Sequence, residues 1–285
     1  MVDGADQQVT LRDGRKLAYR DLGDRGAPPV VFNPGFMACR LTGRAVAGVR
    51  VLSVDRPGIG LSDPAPRRSL LDWPDDVADL ADRLGIERFA VLGHSAGGPY
   101  AAACAVRLPD RVTALGIACG FTPLDRTGAT AGMTPRMAKA IPMLRRAPWM
   151  TRLATASLPR QYRRDPDRAF HNQFGRDLPA GDVRALADTA ARQALLDAAV
   201  ESTRQGSRPL ALEMRLLFAS AWGFAPSAIR LPAHLWYGSD DTLTPLQMGE
   251  WFAEQIPGST LTAYAGEGHM AALTHWQEIV TSLVA

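Results

Sequence analysis

The feature that most restricts this chain is the pentapeptide Gly93-His94-Ser95-Ala96-Gly97. It sits between an apolar strand-like run, Phe89–Leu92, and a small-residue helical stretch, Ser95–Leu108. A sharp strand-to-helix turn strains the backbone of its central residue and pushes that side chain out above a sheet. Glycine is needed at both ends, because a Cβ there would collide with neighbouring backbone. The helix that follows brings free N–H groups and a positive dipole end toward the Ser95 hydroxyl. A serine so placed is a candidate nucleophile. The bland alternative is a glycine-rich turn, which the flanking strand and helix disfavour.

The rest of the chain repeats the alternation of strand and helix. Gln8–Leu11 and Lys16–Arg20 read as short strands joined through Asp13-Gly14, a hairpin signal. Pro29–Asn33 and Val49–Val54 are apolar, β-branched runs. Asp72 is placed as an N-cap, and Val77, Leu80, Ala81 and Leu84 recur at helical spacing before Gly85. Val112–Cys119, Ala233–Tyr237 and Thr260–Tyr264 are further strands. Thr244-Pro245-Leu246-Gln247 reads as a capping box opening a helix to Ile256. Trp276, Ile279, Val280 and Leu283 form the stripe of a last helix. Strands alternating with helices predict a mostly parallel central sheet flanked by helices.

From Phe121 to about Ala228 strand patterns vanish. Helical segments are expected near Met133–Leu158, Ala180–Val200 and Pro209–Trp222. The organisation expected is therefore a core of residues 1–120 and 229–285, with a helical cap at 121–228 inserted after the sixth strand. Met133, Met137, Met143, Trp149, Met150, Met214 and Trp222 suggest an apolar underside to that cap, or else its own core. Between Phe121 and Arg230 there are 17 Arg+Lys against 9 Asp+Glu. This reads as a solvated basic face, with recognition of a carboxylate, phosphate or acidic carrier as the alternative.

Five segments resemble the α/β-hydrolase superfamily, in that family's order. VVFNPGF is similar to its strand and oxyanion loop, VLSVDRPGIGLSD to its D-x-R-G-x-G-x-S-like loop, and FAVLGHSAGG to its nucleophile elbow. LWYGSDDTLTP is similar to the acid segment, and GEGH to the segment bearing the histidine. The overall look is that of the capped esterase, aminopeptidase and C–C-hydrolase group. The resemblance implies Ser95 as nucleophile, His269 as general base and later acid, and Asp241 as the residue that orients His269. It implies an oxyanion hole from the backbone N–H groups of Phe36 and Ala96. The chain departs from the family at Pro34, where a histidine usually precedes the loop glycine.

Other residues compete for these roles. Asp240 adjoins Asp241, but the spacing from Gly238 favours Asp241. Asp125 follows the strand ending at Cys119 and is the rival acid, since some members of the superfamily take theirs from that place. His94 is expected to pack beside the nucleophile strand. His275 is expected at the surface, His234 in the core or at a sheet edge, and His171 on the cap, solvated or touching substrate. Asp55 and Asp63 read as loop-structuring residues.

Composition removes several classes. With 285 residues, 46% hydrophobic and 21% charged, the chain is an ordinary globular enzyme in composition. No apolar run approaches a membrane span, and the N-terminus resembles no secretory leader. A cytoplasmic protein is expected. Cys39, Cys104 and Cys119 have neither disulfide nor metal spacing and read as buried hydrophobes. Acids interleave the arginines throughout, so no nucleic-acid stripe is read. Arginine outnumbers lysine heavily, and alanine is frequent, as in proteins of GC-rich bacterial genomes.

The function expected is cleavage of an acyl bond through an acyl-enzyme, a carboxylic ester or lactone first, with thioester, amide and C–C bonds open. No cofactor or metal is implied, and the partner expected is a small, largely apolar substrate. Acyl transfer or cyclisation on the same triad, or a ligand-binding protein without turnover, are the alternatives. Family members that open halides or epoxides carry Asp at the elbow, which excludes that chemistry here.

Overall fold

A computed structural model describes residues 4–175 and 178–285. Eight strands form one sheet in the order β1-β2-β4-β3-β5-β6-β7-β8. They are β1 (Asp6–Thr10), β2 (Lys16–Leu22), β3 (Pro29–Asn33), β4 (Arg50–Val54), β5 (Phe89–His94), β6 (Val112–Ala118), β7 (Ala233–Gly238) and β8 (Thr260–Tyr264). β1 and β2 pair antiparallel through the expected hairpin, and β2 runs antiparallel to β4. Every other pairing is parallel. β4 and β5 are buried along almost their whole length because helices cover both faces. β1, at the edge, alternates half-buried and exposed residues.

One face packs on α1 (Trp73–Arg83), α2 (Gly98–Arg107) and α10 (Leu246–Gln255), with Trp73, Tyr100, Leu115 and Phe252 in its core. The other face packs on α11 (Ala271–Thr274) and α12 (Trp276–Ser282), where Trp276 meets Phe32 edge to face at 4.8 Å. The predicted stripe of α12 is buried, and so is that of α1 save Leu84, which is half-buried just past the helix end. Asp72 does not cap α1, however. Its carboxylate turns back to accept the N–H of Ser69 at 2.6 Å, closing a short 3-10 turn ahead of the helix.

Between β6 and β7 the described residues form α3 (Pro135–Arg146), α4 (Met150–Thr155), α5 (Leu158–Arg164), α6 (Pro166–Phe174), α7 (Ala180–Leu186), α8 (Thr189–Ser202) and α9 (Ser207–Phe218). The insertion is more broken than its pattern suggests. Ala147-Pro148 divides the expected Met133–Leu158 helix, since the residue before proline is driven out of helical geometry. Asp188 divides the expected Ala180–Val200 helix by accepting the N–H groups of Ala190 and Ala191 at 2.9 and 3.2 Å. α5 and α6 have no counterpart in the sequence reading. A third hydrophobic cluster, with Met37, Tyr162, Phe170, Leu196 and Met270, joins the insertion to the loops above the sheet. Among the described residues, no helix is long and apolar enough to cross a membrane.

The parallel register brings the carboxyl ends of the strands level. Asn33 is opposite Gly93, His94 opposite Ala118, and Ala118 opposite Trp236. Loops leaving these ends converge under the insertion, where ligands of open α/β sheets bind.

Candidate active site

Ser95 leaves β5 with φ at +54°. That left-handed conformation costs a non-glycine residue about 1–3 kcal/mol and persists only where its surroundings impose it. They do so through the two flanking glycines. A Cβ on Gly93 would lie 2.3 Å from the Gly97 carbonyl oxygen, and one on Gly97 would lie 1.9 Å from that of Asn33. Ser95–Gly97 form a 3-10 turn that runs directly into α2. Helix α2 therefore starts at Gly98, three residues later than the sequence reading placed it.

Ser95 Oγ lies 2.9 Å from His269 Nε2, and His269 Nδ1 lies 2.8 Å from Asp241 Oδ2. All three residues are buried. Asp241 leaves the end of β7, and its other oxygen accepts the N–H groups of Leu243 and Thr244 at 2.8 and 2.9 Å. Burial opposes ionisation of Asp241, but the His269 charge, the hydrogen bond to that ring and the Thr244 donors hold its pKa below the usual carboxylate value. Burial likewise opposes a charged His269, yet the Asp241 carboxylate and the nearby Asp182 charge leave its pKa above the ordinary imidazole value. An oriented imidazole of raised basicity beside a strained serine can accept the serine proton.

The rival acids are elsewhere. Asp125 is exposed, and Asp240 is exposed and accepts from Ser239 Oγ at 2.8 Å. His94 is not merely packed beside its strand. It faces the cavity, 5.1 Å ring to ring from His269, and burial together with the His269 charge depresses its pKa to about 3. His171 is exposed on α6. His234 stacks on Trp236 in β7. His275 is half-buried, stacked on Tyr264 at 3.7 Å, and not a free surface residue.

On the opposite side of Ser95 runs the loop after β3. A Cβ added to Gly35 would lie 3.2 Å from Ser95 Cβ, so the loop passes directly against Ser95. No acceptor among the described residues takes the N–H of Phe36, and Ala96 is fully buried at the turn. With Pro34 in place of the usual histidine, the loop is held from behind by Arg56. Its guanidinium donates to the carbonyls of Pro34 and Gly35, the latter at 3.0 Å. Arg56 is itself paired with Glu213 of α9 at 2.8 Å, and Glu213 also takes Arg68 and the Tyr100 hydroxyl. Burial resists ionisation of Glu213, but Arg56 and Arg68 outweigh it and hold its pKa at about 2.

Three supporting groups escaped the sequence reading. Thr244 is not a helix cap: α10 begins at Leu246 with no side-chain cap. The Thr244 hydroxyl lies 2.7 Å from Asp241 Oδ2, 3.0 Å from His269 Nδ1 and 2.8 Å from the Cys119 carbonyl, between the Asp241 carboxylate and the His269 ring. Asp182 of α7 accepts the backbone N–H groups of His269 and Met270 at 3.1 and 2.7 Å. Glu213 supports the loop after β3 through Arg56. Only the Asp-x-x-Thr spacing of the first was visible in advance. The loop roles of Asp55 and Asp63 do stand: they accept the N–H groups of Leu61 and Lys16 at 2.9 and 2.8 Å.

Ser95, His269 and Asp241 line a cavity of about 920 Å³. Its walls are largely apolar, with Phe36, Met137, Ile141, Met214 and Phe218 among them, and its polar fringe includes Asn172 and Gln173. Of the sulfur and indole groups expected beneath the insertion, Met137, Met143 and Met214 face the cavity, Met133 and Trp222 lie in the core, and Trp149 points outward. Cys119 Sγ approaches Asp241 and His269, with the ligand atoms of all three within 4.8 Å of one another. Burial pushes its thiol pKa well up, and the carboxylate and imidazole are already engaged with each other. Cys39 and Cys104 are also free and buried.

A doubly covered parallel sheet with a serine elbow at the carboxyl end of its central strand defines a class of hydrolytic folds. The chain belongs to the α/β-hydrolase family, whose description, alpha/beta hydrolase fold, matches residues 28–275. It is 25% identical to a bifunctional esterase/perhydrolase of Acinetobacter calcoaceticus over 97% of this chain and 98% of that one. It is 30% identical to a pimeloyl-[acyl-carrier protein] methyl ester esterase of Chromobacterium violaceum, over 81% and 80% of the two chains. Among solved structures, a hydrolase from Pseudomonas aeruginosa PA01 superposes with a TM-score of 0.70 at 21% identity, covering 99% of both chains. The esterase RhEst1 from a Rhodococcus species gives 0.69 at 21% identity, over 98% and 99%.

Proposed function

We propose that this chain is a serine hydrolase that cleaves carboxylic esters or lactones through an acyl-enzyme. The observation that supports this best is the continuous relay Ser95 Oγ–His269 Nε2 at 2.9 Å and His269 Nδ1–Asp241 Oδ2 at 2.8 Å on the floor of an apolar cavity. In this reading His269 takes the Ser95 proton as Oγ attacks the acyl carbon. The carbonyl oxygen becomes an oxyanion facing the N–H groups of Phe36 and Ala96, each such donor being worth about 3 kcal/mol in the transition state. Collapse expels the alcohol, protonated by His269. Water, activated by the same ring, then releases the acid and restores Ser95. Asp241 holds the ring in its working tautomer and balances its charge.

Residues 121–228 act as a cap that selects substrate, because they supply most of the cavity wall. The relatives named as esterases favour the ester over the amide. The perhydrolase name of one raises peroxide as a second acceptor for the acyl group.

The test is a panel of p-nitrophenyl esters, lactones and thioesters, with water or hydrogen peroxide as acceptor, run on the wild type and on Ser95→Ala. Turnover that vanishes in the variant, and a serine-directed phosphonate that adds its mass to the Ser95 peptide, are expected. Labelling at another residue, or near-wild-type activity of Ser95→Ala, refutes the proposal.

A further inference from the structure

From Arg126 to Arg164 the chain carries nine cations and no acid. The cations of the insertion that join salt bridges are instead Arg184, Arg192 and Arg204 among the described residues. None of the nine joins a salt bridge among the described residues. Arg126 stacks on Trp251, and Arg136 donates to the Asn172 carbonyl at 3.2 Å. Seven of the nine are exposed.

The same segment holds three of the four exposed large apolar side chains among the described residues. Trp149 and Leu153 are each 63% exposed and Met143 46%. They share surfaces with the cations. On α3, Arg136, Lys139, Met143 and Arg146 recur at spacings of three, four and three and lie along one exposed face. Ile141 and Leu144 fill the opposite, buried face. At the start of α4, Trp149, Arg152 and Leu153 again share the outer side, while Thr151 and Thr155 are buried. An unpaired cationic surface would be explained by solvation alone, but water does not favour a tryptophan, a leucine and a methionine set among those cations.

From this arrangement we infer that the outer face of α3 and α4 docks on an anionic lipid bilayer. The cations face lipid phosphates, and Trp149, Leu153 and Met143 enter the headgroup boundary. Cations beside aromatic and aliphatic side chains form the pattern of an interfacial helix. An indole, apolar in body and polar at its N–H, is suited to that boundary. Continuity with the cavity supports lipid over an acidic protein, because Arg136 and Met143 belong both to this face and to the cavity wall. A bilayer-borne apolar ligand would thus reach the cavity along the surface that docks. Binding at this face does not depend on the proposed hydrolysis, so the two can fail separately.

The experiment is co-sedimentation with vesicles of phosphatidylcholine, with and without an equal share of phosphatidylglycerol, at low and high salt. Binding is expected only to the anionic vesicles and weakened by salt. Arg146→Gln with Arg152→Gln should weaken partitioning by about tenfold or more. Trp149→Ala with Leu153→Ala should weaken it comparably at constant charge, with an unchanged melting curve showing that the fold survives. Equal binding to both vesicle types, no binding to either, or binding indifferent to Trp149 and Leu153 would overturn the proposal. So would salt-sensitive binding of polyglutamate without vesicle binding, which would assign the face to an acidic polypeptide.

Discussion

Asp182 accepts the backbone N–H of His269 at 3.1 Å, although the two residues are 87 positions apart and Asp182 belongs to the helical insertion. Its second oxygen takes the N–H of Met270 at 2.7 Å. The contact is close because residue 268 is glycine: a Cβ there would lie 2.5 Å from the Asp182 carboxylate. The insertion therefore grips the loop that presents the candidate base, and places a negative charge behind it. In Asp182→Asn, one N–H would meet an amide N–H in place of an acceptor. We expect kcat for a small activated ester to fall roughly 10–100-fold, the equivalent of one hydrogen bond to a charged group, with KM little changed. Steady-state kinetics check this, and a loss confined to KM would contradict a positioning role.

The pH profile follows from the sign of the His269 shift. Its pKa lies above the ordinary imidazole value, so the neutral, proton-accepting ring is lost as pH falls through that raised value. The kcat/KM of the wild type should rise with pH through an inflection above about 6.5. The groups facing the ring are Asp241, Asp182, Thr244, Ser95, His94 and Cys119, whose thiol burial pushes well above its usual pKa. His94 stays neutral across this range, so the inflection belongs to the His269–Asp241 pair. Loss of the Asp182 charge in Asp182→Asn should move it toward acid. A flat profile from about pH 5 to 8 for a chemistry-limited substrate would count against His269 as base.

The acid is open to a comparison of three substitutions. Asp241→Asn should reduce kcat by about four orders of magnitude, as expected when the imidazole is left in the wrong tautomer. Asp240→Asn and Asp125→Asn should stay within a few-fold of wild type, because both side chains are exposed. Should Asp125→Asn prove the crippling change, the assignment of Asp241 fails.

Glu213 makes a prediction about stability. It is fully buried between Arg56 and Arg68, and its removal leaves two buried guanidinium groups without their counter-charge. Glu213→Ala should cost about 3–5 kcal/mol in chemical denaturation at neutral pH. The folded pKa of Glu213 is depressed from 4.5 to about 2, so its contribution is present above the unfolded value and lost as pH falls through the folded one. The difference in stability between wild type and Glu213→Gln should therefore narrow between those two pH values. A difference independent of pH would show that the carboxylate charge is not what stabilises the cluster.

The sheet and the elbow follow from local pattern alone. β3 through β7 were legible because each is a short apolar run bounded by turn residues, and Gly93 and Gly97 mark a turn whose strain is set within five residues. The meeting of Ser95 with His269 and Asp241 was foreseeable because the family's motifs occur in order, each at a strand's carboxyl end. Only the tertiary structure decided what holds them. Asp182 reaches the His269 loop across 87 residues, and Glu213 reaches Arg56 across 157. Neither position differs locally from a solvated helical acid, and only burial turns such a carboxylate into a structural partner. Thr244 looked like a cap because its neighbours Pro245 and Gln247 fit one, and the nearby Asp241 carboxylate took its hydroxyl instead. The breaks at Ala147-Pro148 and Asp188, and the outward turn of Trp149, were settled likewise by which helix faces could reach the sheet and the cavity. That competition for contacts is long-range, and sequence periodicity records only its local part.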